Sequence, residues 1–264
     1  MIGPAPAKIN LALVVGPRRD DGNHDLVTVY QRIDLADRLA VEPARETTVI
    51  GFEDSIVRRA LALLPGGWHV RIEKHVPVAA GLGGGSSDAA TALRLANAQL
   101  DEPLTADALD AVAARVGADV PFFLHDGPQL GSGDGTRLEA LDLPQDYAVL
   151  VLVPGGIAKR STGDVYAAFD SRGGEAGFDE RAAALRSALR AVRRPRDLAA
   201  LPPNDLASSA LADELTCAGA FRADVSGAGP ALYGLFHSVD DAARAQRSLR
   251  GLGRTFVTVP AWYG

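Results

Sequence analysis

Residues Lys74 to Ala90 read KHVPVAAGLGGGSSDAA, a run in which four glycines and two serines separate the end of an apolar strand from an alanine-rich helix. Glycine has no Cβ, so the backbone can turn its N–H groups inward, and the helix that follows adds the positive end of its dipole. Both features suit an anionic phosphate group. A flexible linker would share the composition, but Val76 and Pro77 close a strand directly before the run and Asp88 to Ala96 is a good helix former directly after it. The run lacks the Gly-Lys-Ser/Thr ending of a P-loop, and its glycine spacing does not fit the dinucleotide fingerprint. It reads as a phosphate loop of a third kind, which implies a nucleotide.

Working outward, the 264 residues are 47% hydrophobic and 23% charged, enough for one large core or two smaller ones, and two domains are expected. A formal net charge of −6 argues against a nucleic-acid-binding face, so an anionic ligand must be met by local groups. Among the 27 basic residues only three are lysines, Lys8, Lys74 and Lys159, which makes each a candidate for a task that needs a compact, titratable point charge. The single cysteine, Cys217, cannot form an intrachain disulfide and is expected to be a small buried hydrophobe in a reducing compartment. Met1 is not followed by a basic and then apolar leader, and no stretch reaches about 18 uninterrupted apolar residues. The expected setting is cytoplasmic, away from membranes.

Alternation and β-branched residues predict strands over 9–15, 28–35, 38–41 and 68–76. A helix is expected from about Asp54 to Leu64, ended by Pro65-Gly66-Gly67, and another over Thr105–Val116 with Gly117 as its C-terminal cap. Residues 127–135, with four glycines, read as a loop. The strand over 148–153 opens a second domain, with a boundary near 145. Helices are expected over 181–192, 204–215 and 238–249, and a last strand over 251–259. Strands and helices mix without the alternation of a doubly wound sheet, which favours an α+β fold.

Three separated elements then look related: PAKINL from Pro6 to Leu11, the glycine-serine loop, and Ser226-Gly227-Ala228-Gly229 before an apolar run. In this order they resemble the three motifs of the GHMP small-molecule kinase superfamily, and the resemblance spans almost the whole chain. RRDDGNHDL with Gln31, AGLGGGSSDAA and GADVPFFL resemble the branch whose acceptor is a cytidine-diphosphate-linked methylerythritol. The resemblance implies a two-domain fold: residues 1–145 like the second domain of ribosomal protein S5, and residues 146–264 ferredoxin-like, with the active site between them. The implied reaction is transfer of the γ-phosphoryl group of ATP, used with Mg²⁺, to the tertiary 2-hydroxyl of the methylerythritol moiety, within isoprenoid precursor biosynthesis. Another alcohol acceptor, or a nucleotide-binding homologue without catalysis, are the alternatives.

Carried over by the resemblance, Lys8 and Asp119 are catalytic: the aspartate accepts or orients the hydroxyl proton, and the lysine stabilises charge on the phosphoryl oxygens. Pro77, Ala80, Gly81, Leu82, Gly83, Gly84, Gly85, Ser86 and Ser87 form the ATP-phosphate segment. Asn10, two residues beyond Lys8 on one strand face, positions the substrate; His24 meets the cytosine and Tyr166 supplies an aromatic wall. Ser87 is a possible magnesium ligand, and no set of side chains is assigned to hold a metal.

This chain departs from the family pattern twice. Asn23 stands where a tyrosine usually precedes the histidine, which forfeits roughly 1–3 kcal/mol of base stacking. Asp54-Ser55-Ile56 replaces a usual Asp-Asn-Leu beside the adenine. The arginine-rich stretch 186–196 reads as a solvated helix face and linker, and no apolar stripe marks an interface, so a monomer or weak homodimer is expected.

Overall fold

The computed structural model describes residues 1–52, 55–156 and 161–261; Asp54 and Lys159 lie outside the described residues. The chain begins with two long strands, β1 (Ile2–Arg18) and β2 (His24–Ala44), paired antiparallel over nearly their whole length. The sequence predicts a break near residues 36–37. The structure instead runs one continuous strand through them, because Asp37 is buried there as an acceptor for backbone and lysine donors rather than marking a solvent turn.

Next come β3 (Thr48–Ile50), α1 (Ser55–Leu61) and β4 (Gly67–Glu73), the last pairing with the C-terminal half of β2. The helix α2 (Gly84–Asn97) then starts inside the glycine run. Thr105 caps α3 (Ala106–Val116) by accepting from the Ala108 N–H, and Gly117 ends it in extended backbone rather than a left-handed cap. A short 3₁₀ turn, Pro121–Leu124, leads to β5 (Gln129–Gly133) and β6 (Arg137–Ala140).

β5 corrects the loop expected over 127–135. Gln129 to Gly133 pair with Tyr30 to Leu26 of β2, and Gly131 is there because the Tyr30 ring occupies the space of a Cβ, which would lie 2.6 Å from its Cε2. Six strands thus form one sheet in the order β3-β4-β2-β5-β6 with β1 also on β2. Leu39, Val41, Val70 and Ile72 of that sheet pack against Ala89, Leu93 and Ala96 of α2 and Val57 and Leu61 of α1.

The second half contains β7 (Ala148–Pro154), α4 (Thr162–Ser171), α5 (Phe178–Ala191), α6 (Leu211–Cys217), β8 (Arg222–Val225), β9 (Leu232–Phe236), α7 (Val239–Ser248) and β10 (Gly253–Thr258). Its four strands form an antiparallel sheet in the order β10-β7-β9-β8, the ferredoxin-like arrangement. α4 is a helix the sequence reading did not anticipate, although Ser161 and Asp164 form a capping box at its start.

Two further expectations are corrected. The helix expected over 204–215 begins only at Leu211, because the Asn204 carboxamide accepts from the Leu206 N–H and donates to the Val225 and Gly227 carbonyls, holding a turn in place of a helix. Cys217 is exposed: on α6 the buried side is marked by Leu215, and two residues further on the helix has turned away by about 200°.

Ala7, Ile9 and Leu11 of β1 pack in one cluster with Val149 and Val151 of β7 and Leu235 of β9, so the two sheets share a hydrophobic core. Among the described residues no helix is long and apolar enough to cross a membrane.

Candidate active site

β1 alternates, sending Ala7, Ile9 and Leu11 into the core and Lys8 and Asn10 to the opposite face. Lys8 is 4% exposed; its Nζ donates to Asn10 Oδ1 at 2.7 Å and lies 3.5 Å from Asp119 Oδ2. Asn10 Nδ2 in turn donates to Thr28 Oγ1, whose hydroxyl donates to the Ala12 carbonyl, so the amide is fixed with its oxygen toward the ammonium. Asp119, on the segment between α3 and the 3₁₀ turn, also accepts from the Tyr30 hydroxyl at 3.0 Å.

The glycine loop is pinned against these groups from two sides. The Lys8 N–H donates to the Leu82 carbonyl at 2.9 Å, and Ser226 Oγ donates to the Gly81 carbonyl at 2.9 Å. Ala80 and Leu82 are buried and anchor the loop, while Gly81, Gly83 and Ser86 face the cleft. Gly83 has φ +70° and caps α2, and a Cβ on it would lie 2.9 Å from both Lys8 Cγ and Phe123 Cζ. A positive φ together with this contact requires glycine. Among the described residues no side chain caps α2, which leaves the N–H groups of its first turn open toward the cleft. The third motif closes over the same place: a Cβ on Gly227 would lie 3.5 Å from Lys8 Nζ.

Beneath the loop, Lys74 Nζ donates to Asp37 Oδ2 at 2.5 Å and Asp88 Oδ2 at 2.7 Å, and Asp37 Oδ1 accepts from the His75 and Val76 N–H groups. The entry and exit of the loop are therefore tied together. Burial works against the Lys74 charge, but the two carboxylates outweigh it and hold its pKa above the ordinary lysine value.

Three adjoining cavities run along this surface. The central one, about 370 Å³, holds Lys8, Asn10, Asp119 and Tyr30. One of about 420 Å³ extends past the loop to Phe52, Ser55, Ile56 and Pro77, sharing Gly81, Gly83 and Ser86 with the centre. The third, about 500 Å³, reaches Arg18, Asn23, His24 and Asp170, and shares Tyr166, Asp134 and Thr162 with the centre. Of the candidate site residues, Lys8, Asn10, His24, Asp119, Tyr166, Pro77 and residues 80–86 line this cleft, and Ser87 does not. Ser87 is wholly buried, and its hydroxyl makes no hydrogen bond among the described residues; its neighbour Ser86 is the one that reaches the cleft.

His24 is 7% exposed, with Nε2 2.7 Å from Asp170 Oδ1. Its ring stacks on Tyr166 at 4.8 Å and 25°, so the two rings form one wall rather than two facing ones. Burial, then the Asp119 charge, push the Tyr166 phenol up to about 12.

Several lining residues went unmarked in the sequence, Tyr30, Asp134 and Ala79 among them. Tyr30 shares a face of β2 with Thr28, but its proximity to Asp119 depends on strand register. Asp134 is desolvated, yet the Thr136 hydroxyl and N–H and the Arg19 charge hold its carboxyl below the usual range. Ala79 takes φ +61° at the start of the loop, a strained conformation that no sequence signal announces.

By its likeness to known proteins the chain is a GHMP kinase. The family models "GHMP kinases N terminal domain" and "GHMP kinases C terminal" match residues 52–127 and 180–255. The 4-diphosphocytidyl-2-C-methyl-D-erythritol kinase of Desulfitobacterium hafniense (strain Y51) is 37% identical over 262 residues, covering 91% of this chain and 88% of that protein. Its counterpart in Nocardia farcinica (strain IFM 10152) is 39% identical over 277 residues, with 94% and 89% covered. A crystal structure of 4-(cytidine 5'-diphospho)-2C-methyl-D-erythritol kinase aligns with a TM-score of 0.76 at 34% identity, covering 99% of this chain and 100% of that one. The chain belongs to the 4-diphosphocytidyl-2-C-methyl-D-erythritol kinase family.

Proposed function

We propose that this protein transfers the γ-phosphoryl group of ATP to the 2-hydroxyl of 4-diphosphocytidyl-2-C-methyl-D-erythritol, giving the 2-phosphate and ADP in isoprenoid precursor biosynthesis. The observation that carries the reading is the placement of Lys8 and Asp119, 3.5 Å apart, in the central cavity, which shares lining residues with the cavity along the glycine loop on one side and the cavity lined by His24 and Tyr166 on the other. A cleft with a phosphate loop in one arm and an aromatic wall in the other suits two nucleotide-bearing reactants meeting end to end.

In this reading the acceptor oxygen forms its bond to the γ-phosphorus as the bond to the β-phosphate oxygen breaks and ADP leaves, and the hydroxyl proton passes to Asp119. Lys8 stabilises charge on the transferring oxygens, Asn10 holds the ammonium in place, and the N–H groups of residues 83–86 receive the phosphates. The fit is supported by Gly83, where a Cβ would press on Lys8 and Phe123, and by the lack of a side-chain cap on α2 among the described residues. Magnesium accompanying ATP would neutralise the phosphate charge. Ser86, a hydroxyl on the cleft at the start of α2, would be a candidate ligand, and the described residues contain no group of three or more His, Cys, Asp or Glu side chains that could hold a metal. We also place the domain boundary at about residue 145, between β6 and β7, and the protein in the cytoplasm as a monomer or weak homodimer.

The test is ATP turnover with 4-diphosphocytidyl-2-C-methyl-D-erythritol against mevalonate, homoserine and galactose. Turnover of the cytidyl substrate alone is expected. Clear activity on another acceptor with none on the first would overturn the reading.

A further inference from the structure

Tyr30 is 2% exposed, yet its hydroxyl is aimed at the reactive carboxylate. On β2 it sits opposite Asn10 of β1 and Gln129 of β5, and its ring stacks on Phe122 at 4.8 Å and 28°. Its seat is cut out by two glycines: a Cβ on Gly131 would lie 2.6 Å from the ring and one on Gly135 would lie 2.7 Å from the hydroxyl. The space therefore fits a phenol at this position, with the oxygen as well as the ring accommodated.

The two oxygens of Asp119 have different partners. Oδ1 accepts from the Tyr30 hydroxyl at 3.0 Å, while Oδ2 lies 3.5 Å from Lys8 Nζ. An aspartate carboxylate turns about a broad, roughly two-fold torsion, so rotamer preference does not set its plane, and about a third of the Asp119 side chain is exposed to the cleft. Something else must hold it. We propose that Tyr30 is a positioning residue that locks the Asp119 carboxylate through Oδ1 and leaves Oδ2, the oxygen beside Lys8, to take the proton of the acceptor hydroxyl. The inference rests on Asp119 being the proton acceptor of the proposed reaction. Burial, and then the charge of Asp119, hold the Tyr30 phenol well above its ordinary pKa, so it remains a donor across the working range.

The experiment is a double-mutant cycle, with kcat and both KM values measured for Tyr30→Phe, Asp119→Ala and the double variant. Tyr30→Phe retains the ring on Phe122 and removes only the hydroxyl. The expected result is a kcat lower by about 10- to 100-fold with both KM values within about twofold, the signature of a misaligned reacting group rather than weakened binding. In the Asp119→Ala background, Tyr30→Phe should change kcat by less than about twofold. An unchanged kcat in Tyr30→Phe, or the same fold-loss in both backgrounds, would overturn the positioning role while leaving Asp119 in place. A parental kcat in Asp119→Ala would overturn the role of Asp119 itself, and this inference with it.

Discussion

Lys8 and Asp119 line the central of three adjoining cavities, and the reading of this cleft as a phosphotransferase site depends on both. Each is expected to lose about 100-fold or more in kcat on replacement by alanine, in line with removing a proton acceptor or a preorganised charge. Steady-state turnover checks this, and a variant as fast as the parent would remove that residue from the mechanism. The glycines beside them are not equivalent. Gly83 combines φ +70° with a contact of 2.9 Å on Lys8 and Phe123, whereas a Cβ on Gly84 would lie 3.1 Å from the methyl carbon Cγ1 of Val76, in a helical position without positive φ. Gly83→Ala is therefore expected to raise the ATP KM by about tenfold or more. Gly84→Ala should stay within a few-fold, since an alanine at a helix start regains about 0.5–1 kcal/mol of backbone entropy. Equal effects of the two on ATP KM would count against this account of the loop. Both glycines stood out in the sequence; the difference between them is a matter of φ and of which atoms approach, which no composition reveals.

At the scale of elements, the loop between β4 and α2 is held by the Asp37–Lys74–Asp88 cluster. Lys74→Met would leave two carboxylates buried without their cation, at a cost of about 3–5 kcal/mol, measurable by urea unfolding at neutral pH. A loss under about 1 kcal/mol would mean that the two acids do not need the ammonium. The sign of the pH dependence follows from the raised pKa. The folded state keeps its proton longer than the unfolded chain, so the clamp contributes fully below the unfolded lysine value of about 10.4 and is lost as the pH rises through the folded value. Helices announced by periodicity, such as α3, and strands announced by apolar runs, such as β7, were legible in the sequence. β5 was not, because Gly131 marks the seat of the Tyr30 ring and not a turn. Nor was the non-helical run 204–210, where one Asn204 carboxamide outcompetes helix propensity by bonding to backbone groups some twenty residues away.

For the whole molecule, β1 packs its apolar face against β7 and β9, so neither sheet buries its inner face without the other. Calorimetry is expected to show a single cooperative unfolding transition. Two resolved transitions would mean that the halves carry separate cores. Ile9→Ala, at 0% exposure within this cluster, should cost about 2–5 kcal/mol and lower that one transition as a whole.

What the sequence determined by itself is the local pattern: a glycine loop opening a helix, three lysines in an otherwise arginine-rich set of basic residues, and three motifs whose order points to a GHMP kinase. These follow from short-range rules, Cβ-free backbone, helix dipoles and side-chain periodicity, which act within a few residues. The tertiary structure decided the rest. It set Tyr30 on one oxygen of Asp119 and Lys8 beside the other, stacked His24 on Tyr166, buried Ser87 while leaving Ser86 on the cleft, and tied the loop down through Asp37. Those contacts join residues as far apart in the chain as His24 and Tyr166. They depend on strand register and on the meeting of two sheets, and no local pattern encodes which of many compatible faces will meet.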